Sequence, residues 1–390
     1  MKKMALSMVM VLVLLSIVTA CGKKGPVETT NAANSVETAV TNTPAVSAAA
    51  SPSATEAAAT TGDLSLEDLE KKAKEEGSVI SVGMPDSWAN WVDTWKDINT
   101  KYGLKHTDTD MSSAEEIAKF DAEKDKPTAD IGDVGMAFGS VAVDKGVTLP
   151  FKTTQWDKIP AWAKDTDGNW VVGYQGTIAI ITNTKLVKNP PKSFADILAG
   201  KYKVSIGDVA KASQAQNAIL AAAIAFGGDE SNIQPGIDFF EKLAKQKRIS
   251  LSDVKIANFE KGEVEVALVW DFNALGYKQQ IPTATFEIAI PAEGSVVSGY
   301  ATIINKYAAH PNAAKLTREY ILSDAGQINL AKGFARPIRD DVVLPANVAA
   351  KMIPASQYKN VKSVKDFKVW EATSKALPQL WEDKISVLLN

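Results

Sequence analysis

The feature that most constrains the fold is an alternation of short β-rich runs with helical patterns, which begins near residue 64. The run "SVISVG" (78–83) precedes "WANWVDTWKDINTKYG", and "LKHTDTDM" precedes "SSAEEIAKFDAEKD". "ADIGDVG" and "MAFGSVAVDKG" repeat this order once more. Such alternation predicts an α/β fold whose ligand loops follow the carboxyl ends of the strands.

Serine residues indicate where two of the helices begin. Ser65 is expected to cap the helix "LEDLEKKAKEE", and Gly77 is expected to end it. Ser112 or Ser113 is expected to cap the later helix that carries a Glu-Glu pair in its first turn. These signals predict helix boundaries from local chemistry alone.

Three tryptophans follow the first predicted strand. Asp86 or Ser87 is expected to cap the helix that contains Trp88, Trp91 and Trp95. The three- and four-residue spacing of these tryptophans places Trp91 and Trp95 in the core rather than in a cleft.

The middle of the chain continues the alternation. "NWVVGYQGTIAIITNT" (169–184) predicts a long strand and "KVSIGD" (203–208) a short one. "AKASQAQNAILAAAIAFGG" predicts an alanine-rich helix. In "EVEVALVWDFNALGYKQQ" a buried strand is followed by a loop or a helix that starts at Asp271.

The chain starts with a predicted signal peptide and has a single cysteine directly behind it. Residues 1–20 combine a charged start, an apolar run and small residues before a cleavage site. The stretch Val18-Thr19-Ala20-Cys21 resembles the lipobox of bacterial lipoproteins. That resemblance implies cleavage before Cys21 and acylation of the cysteine, and two or three acyl chains suffice for stable membrane anchoring. The alternative is a plain secreted protein with a fortuitous cysteine.

Composition separates a stalk from a globular body. Residues 23–62 are rich in Ala, Thr, Ser, Pro and Asn and contain no aromatic residue, so we expect a disordered stalk. Removal of Lys2 and Lys3 with the leader leaves 41 of the 43 basic residues against 46 acidic ones, a net charge of about −5. This balance argues against nucleic acid as a partner.

The order of the segments resembles that of extracellular solute-binding proteins of ABC importers, a two-lobed group with maltose-, polyamine-, ferric- and thiamine-binding members. "PTADIGDVG" is similar to the group's strand and ligand loop, and "VVGYQGTIAIITNTKLVKNPPKSFADIL" to its crossover strand and following helix. "EKGEVEVALVWDFNA", "AAHPNAAKLTREYILSDAGQ" and "FARPIRDDVVLP" are similar to later segments. The resemblance covers about residues 64–350.

This resemblance implies a type II periplasmic-binding-protein-like fold, in which crossing strands form a hinge between two α/β lobes that close on a ligand. The crossings are expected near Gly173–Gly176 and Gly294–Gly299, where the glycines tolerate hinge dihedrals or form ordinary turns. The expected organisation is a signal peptide (1–20), a lipidated cysteine with a stalk (21–62), the first part of lobe 1 (63–174), lobe 2 (175–296), and the return to lobe 1 with C-terminal helices (297–390).

The resemblance also implies the function. The expected protein is the monomeric binding component of an importer, anchored outside the cytoplasm, with a small-molecule ligand and a membrane permease as partners. It is not expected to be an enzyme or to need a cofactor or a metal. The candidate ligand-binding residues lie in the loops after the predicted strands: Asp86, Ser87, Trp88, Ser112, Ser113, Asp133, Gly135, Tyr174, Gly176, Thr177, Asp208, Lys211, Ser213, Trp270, Asp271, Asn273 and Tyr300.

The class of ligand is left open by the residues. Helix starts with serine hydroxyls and the charge of Lys211 favour an organic anion, such as a phosphorylated or phosphonate compound. Asp86, Asp133 and Asp271 with tryptophan walls fit a polyamine- or thiamine-type cation instead. A ferric site is disfavoured because the chain contains no adjacent tyrosine pair. The sequence favours the anion slightly.

Two other functions compete with import. A cell-envelope hydrolase is disfavoured, since only His106 and His310 are available and no nucleophile or metal motif is present. A receptor that presents its ligand to a sensor has the same sequence features as an importer component. The neighbouring genes distinguish these two.

Overall fold

The computed structural model describes residues 64–283 and 285–389. Cys21, the predicted leader and the predicted stalk lie outside these described residues. The strands are β1 (Ser78–Val82), β2 (Lys105–Thr109), β3 (Ile131–Gly135), β4 (Trp170–Asn183), β5 (Val204–Ser205), β6 (Val266–Trp270), β7 (Phe286–Ala289), β8 (Ser295–Ile304), β9 (Arg336–Pro337) and β10 (Val361–Ser363).

Helices connect most of these strands, which confirms the α/β prediction. They are α1 (Leu66–Glu76), α2 (Trp91–Tyr102), α3 (Ser113–Ala122), α4 (Ala137–Asp144), α5 (Phe194–Ala199), α6 (Ser213–Ala225), α7 (Gln234–Lys245), α8 (Ile256–Glu260), α9 (Asp271–Gln280), α10 (Pro311–Leu322), α11 (Asp324–Lys332), α12 (Ala346–Ala349) and α13 (Phe367–Lys384). Among the described residues, no helix is both long enough and apolar enough to cross a bilayer.

The strands form one mixed sheet in the order β2-β1-β3-β8-β4-β6-β5. β1 pairs in parallel with β2 and β3, and β5 pairs in parallel with β6. The antiparallel strands β8 and β4 lie between these two parallel groups. We call β1–β3 with α1–α4 the first half of the body and β5–β7 with α5–α9 the second half.

β4 runs through both halves. From Trp170 to Thr177 it pairs with β8, and from Ile178 to Thr182 it pairs with β6. The expected lobe boundaries at 174/175 and 296/297 fall in or beside these pairings of β4 and β8, and they remain predictions.

One glycine of β4 is required for packing. Gly176 lies inside the strand without a positive φ, so it does not form a turn, and the hinge expected near it remains a prediction. A Cβ at this position would lie 2.5 Å from Cε1 of Phe272. Gly176 is therefore required for the close packing of α9 against β4.

Local signals predicted α1 correctly but placed the start of α2 too early. The Ser65 side chain accepts from the backbone N–H of Asp68, and Gly77 ends α1 in a left-handed conformation. In contrast, α2 begins at Trp91, because Ala89 and Asn90 have φ values of 46° and 59° and interrupt the helix. The predicted caps, Asp86 and Ser87, therefore do not cap this helix.

One further boundary differs from the expectation, and the start of α6 agrees with it. The predicted strand over 203–208 is reduced to the two residues of β5. α6 begins at Ser213 with Ala212 as its N-cap, so the Ser213 hydroxyl is not used as a helix cap. The prediction that Trp91 and Trp95 lie in the core is confirmed, since they are 0% and 4% exposed.

The C-terminal segment contacts both halves. Nζ of Lys375 on α13 lies 3.2 Å from Oδ2 of Asp144 on α4. The ring of Trp381 packs on Phe240 of α7 with 5.3 Å between centroids. α13 therefore bridges the first and second halves.

Candidate functional site

A cavity of about 360 Å³ lies between the first and second halves. Its polar wall on the first half comes from the ends of β1, β2 and β3 and from the start of α3. The second half contributes the start of α6, the segment into α8, and α9. The lining residues are Gly83, Pro85, Ser87, Trp88, Asp110, Met111, Ser112, Ser113, Glu115, Glu116, Asp133, Ala212, Ser213, Gln214, Val254, Lys255, Ile256, Ala257, Tyr277 and Tyr300.

Glu116 is a buried acid of this cavity, and its carboxylate occupies a space that two glycines leave open. It is 1% exposed, and a Cβ at Gly83 or at Gly132 would lie 2.3 or 2.6 Å from its oxygens. Oε2 accepts the backbone N–H of Asp133 at 2.8 Å, whereas Oε1 has no hydrogen-bond partner among the described residues. Burial and the charge of Asp133 raise the pKa of Glu116 well above its usual range.

Asp133 in the middle of β3 lies beside Glu116 and is also 1% exposed. Its Oδ2 accepts from the Tyr174 hydroxyl, which itself accepts from Nε1 of Trp88 at 2.8 Å. Its Oδ1 has no hydrogen-bond partner among the described residues. Burial raises the pKa of Asp133 to about 8, although the Tyr174 hydrogen bond opposes the shift. The relay from Trp88 holds this carboxyl in one orientation.

The opposite wall is neutral and polar. Oε1 of Gln214 accepts from the backbone N–H of Trp270 at 3.0 Å and from Nδ2 of Asn273 at 2.9 Å. The first N–H groups of α6, at Ser213 and Gln214, have no acceptor within the helix because of their position. The helix dipole adds partial positive charge at this point, so this wall suits an anionic group.

The two walls are in contact around the cavity. A Cβ at Gly135 would lie 2.1 Å from the Ser213 side chain, so the end of β3 packs directly on the start of α6. Nζ of Lys211 lies 3.2 Å from Oε1 of Glu115, and Nζ of Lys255 lies 3.8 Å from Oδ2 of Asp110. The two halves are therefore in contact beside the cavity, and two exposed ion pairs lie at its rim.

The structure brings part of the predicted site together. The predicted residues that line the cavity are Ser87, Trp88, Ser112, Ser113, Asp133, Ser213 and Tyr300. Those that support its walls are Gly135, Tyr174, Trp270 and Asn273. Those that lie outside it are Asp86, Gly176, Thr177, Asp208, Lys211 and Asp271. Which of them bind a ligand remains a prediction.

Trp270 ends β6 and Asp271 follows it, but the two side chains lie in different surroundings. Nε1 of Trp270 donates to the Tyr300 hydroxyl at 3.1 Å, so this hydroxyl is an acceptor in that bond. Asp271 accepts from the backbone N–H groups of Thr177 and Phe272 and from the Tyr358 hydroxyl at 2.7 Å. Its carboxylate is therefore used inside the protein.

Sequence reasoning missed several lining residues, of which Glu116 and Gln214 are the polar ones that matter most. A signal for Glu116 exists, because Ser113, Glu116 and Phe120 recur at helical spacing on one face of α3 and all three are buried. Gln214 had no comparable signal. The larger apolar lining residues that were missed are Met111, Val254, Ile256 and Tyr277.

The described residues contain no group of three or more His, Cys, Asp or Glu side chains that could hold a metal ion. His310 bonds to Asp130 and to the hydroxyl of Ser78. His106 bonds to the hydroxyl of Ser81 and stacks on Trp95. Both histidines thus lie away from the cavity.

Comparison with known proteins gives a consistent picture. Residues 126–363, more than half of the chain, match the sequence model of a family described as bacterial extracellular solute-binding protein. An uncharacterised protein of Haemophilus influenzae is 26% identical over 315 residues, which span 75% of this chain and 87% of that protein.

Solved structures share the fold. The periplasmic binding protein AfuA from Actinobacillus pleuropneumoniae, with exogenous fructose-6-phosphate bound, is 22% identical with a TM-score of 0.65 over 79% of this chain and 98% of that one. A periplasmic thiamin binding protein is 15% identical with a TM-score of 0.63 over 80% and 96% of the two chains. These similarities confirm the type II periplasmic-binding-protein fold.

Proposed function

The chain belongs to the bacterial extracellular solute-binding proteins, and from this premise we propose that it captures a small polar solute by hinge closure and delivers it to an ABC permease. The observation that carries this proposal is the cavity between the two halves. Residues of both halves line it, and β4 and β8 join the halves behind it. Enclosure of a ligand between two moving parts is the mode of hinged binding proteins.

We propose that the solute is a small organic anion, such as a phosphorylated or phosphonate compound. Support comes from the free N–H groups at the start of α6 and from the Ser213 hydroxyl beside them. The fructose-6-phosphate bound in the similar AfuA structure also supports an anionic solute. Lys211 does not contribute to this argument, because it pairs with Glu115 at the rim.

A cation such as a polyamine or thiamine is the second candidate. The unpartnered oxygens of Glu116 and Asp133 favour it, because buried carboxylates attract positive charge. The similar thiamin-binding structure is consistent with it.

A thermal-shift titration of the full chain separates these ligand classes. We expect sugar phosphates or aminophosphonates to raise the melting temperature by mass action, and small-angle scattering to show compaction. The Ser213→Ala variant should weaken binding of the phosphorylated compound by about 10- to 100-fold, the value of one hydrogen bond to a charged group. Ser140→Ala on α4, outside the cavity, is the control.

Other results of the titration would point elsewhere. A shift with polyamine or thiamine alone would support the cation. Binding without compaction would count against hinge closure.

We propose that Cys21 anchors the protein in the membrane by its lipid and that residues 23–62 form the stalk; both lie outside the described residues. Cys21→Ser should release the protein into the soluble fraction with unchanged ligand binding, and continued membrane retention would refute the anchor.

Deletion of 23–62 should leave the melting temperature nearly unchanged, and a large decrease would show that this segment packs on the body.

A receptor that hands its ligand to a sensor is the alternative to import. Permease and ATPase genes beside the gene would support import, and a histidine kinase gene alone would support sensing.

A single mass by light scattering, equal to that of one chain, would support the proposed monomer.

A further inference from the structure

The wall of the cavity on the first half is an acidic site without a basic partner. Glu116 and Asp133 both line this wall, and each has one buried carboxyl oxygen without a hydrogen-bond partner among the described residues. Both residues are 1% exposed. The charged groups that face Glu116 are Asp108, Asp110 and Asp133, all of them acidic.

The nearest bases are engaged elsewhere. Lys211 pairs with Glu115 and Lys255 with Asp110, both at the rim. His106 is held between Ser81 and the ring of Trp95, and burial lowers its pKa to about 4, so it is neutral at physiological pH. The described residues thus contain no cation that neutralises the two buried acids.

Aromatic rings complete this side of the cavity. Trp88, Tyr277 and Tyr300 line it, and the rings of Trp88 and Tyr300 meet edge to face at 5.4 Å. Ring faces attract cations, and carboxylates beside ring faces form a common environment for bound ammonium groups.

We propose that the bound solute presents an ammonium group to Glu116 and Asp133. This inference rests on the proposed function and deepens it: together with an anionic group at the start of α6, it makes the solute an amine-bearing phosphate or phosphonate. An ammonium has three donors and no acceptor, so it satisfies both unpartnered oxygens and still has one donor left.

A neutral hydroxyl fits this wall less well. It supplies a single proton, so when both acids are ionised one of their unpartnered oxygens stays without a donor. It also leaves the repulsion between Glu116 and Asp133 unrelieved whenever both are ionised. An ammonium removes both costs at once.

Matched ligand pairs test the proposal. Isothermal titration of the full chain compares glucosamine 6-phosphate with glucose 6-phosphate, and 2-aminoethylphosphonate with ethylphosphonate, with putrescine and thiamine as amines that lack the anion. We expect the amine-bearing member of each pair to bind about 10- to 100-fold more tightly, as for one charged hydrogen bond.

Variants locate the preference. Glu116→Gln should abolish the difference within each pair, whereas Glu123→Gln at the far end of α3, outside the cavity, should preserve it. Asp133→Asn is the second variant if Glu116→Gln does not fold. Titration in two buffers of different ionisation enthalpy should show that wild type releases protons to solvent at pH 7 on binding the amine, because burial raises the pKa of both acids in the empty protein and a bound ammonium favours their ionised forms.

The outcomes separate this inference from the function on which it rests. Equal affinity within each pair would overturn the ammonium and leave the phosphorylated solute intact. Binding of putrescine or thiamine alone, lost in Glu116→Gln, would confirm the ammonium and overturn the anion. An amine preference that survives in both Glu116→Gln and Asp133→Asn would overturn the assignment to these acids.

Discussion

Two regions of the molecule bury an aspartate in or directly after a strand, and they differ in how far the carboxylates are satisfied. Asp133 lies inside β3, lines the cavity and has one oxygen without a partner among the described residues. Asp271 follows β6 and accepts from two backbone N–H groups and from Tyr358, with Nε of Arg336 at 3.8 Å. Both are at most 2% exposed.

The comparison teaches that burial alone does not identify a binding residue. Burial raises the pKa of both aspartates, but four groups oppose the shift at Asp271 and one at Asp133. A carboxylate whose hydrogen-bonding capacity is filled by the protein stabilises the fold. One that is left unfilled beside a cavity is available to a ligand.

The largest expected effect comes from removal of the Asp271 carboxylate, whose hydrogen bonds are all made within the protein. Asp271→Ala leaves buried donors at Thr177, Phe272 and Tyr358 without an acceptor, so we expect a loss of about 3–5 kcal/mol in unfolding free energy. Urea denaturation measures it, with the exposed Asp208→Ala as control. A loss below about 1 kcal/mol would contradict the structural role given to Asp271.

Closure of the cavity can be blocked without touching the Asp271 region. The Cβ of Gly135→Ala would meet Ser213 of the opposite half at 2.1 Å, and opening of the cleft relieves this clash. We expect about a 100-fold loss of ligand affinity with little change in unfolding free energy. Titration calorimetry checks this against Gly276→Ala, where the nearest atom to a new Cβ is 3.6 Å away. Unchanged affinity would show that the cleft does not close on the ligand.

The pH dependence of stability should reveal the unsatisfied acid. Burial raises the pKa of Asp133 to about 8, so between the usual aspartate pKa of about 3.9 and pH 8 the folded protein retains a proton that the unfolded chain releases. The stability of the empty protein therefore decreases as the pH rises through this window.

Asp133→Asn should remove this contribution, which amounts to at most about 1.4 kcal/mol per pH unit. Denaturation of both proteins at several pH values between 4 and 8 gives the difference in slope. Parallel curves for wild type and variant would mean that Asp133 is ionised in the empty protein.

The smallest effect is expected at the rim. Lys211→Ala removes an ion pair whose side chains are 52% and 49% exposed, so we expect at most about 1 kcal/mol in stability and at most a fivefold change in affinity. Salt titration should reduce even this effect. A loss above 100-fold for a phosphorylated ligand would instead place Lys211 at the binding site, as the sequence suggested.

Local chemistry made several elements predictable. α1 has its cap at Ser65 and its stop at Gly77, and β4 is as long as its β-branched pattern indicates. α2 was misplaced because its start depends on a distant segment: Nδ2 of Asn90 donates to the backbone oxygen of Asn329, and the backbone of Ala89 packs on Gly333. No local pattern contains that contact.

The residues that line the cavity were predictable only in part. Loops after strands indicated Trp88, Ser112, Asp133 and Ser213, all of which line the cavity. Glu116 was missed because it lies inside a helix, where an acid in the first turn is explained by the helix dipole alone. Asp271 was included among the candidate ligand-binding residues because its hydrogen-bond partner Tyr358 is 87 residues away, and no local pattern indicates that contact.

The sequence by itself determined the α/β alternation, the order of the segments and the family to which the chain belongs. The reason is that helix caps, hydrophobic periodicity and short motifs depend on residues that are close together in the sequence. Only the tertiary structure decided which buried carboxylates are satisfied and which are left open to a ligand. The pairing of a buried charge depends on side chains that distant segments bring together, and on the low dielectric that the whole fold creates around them.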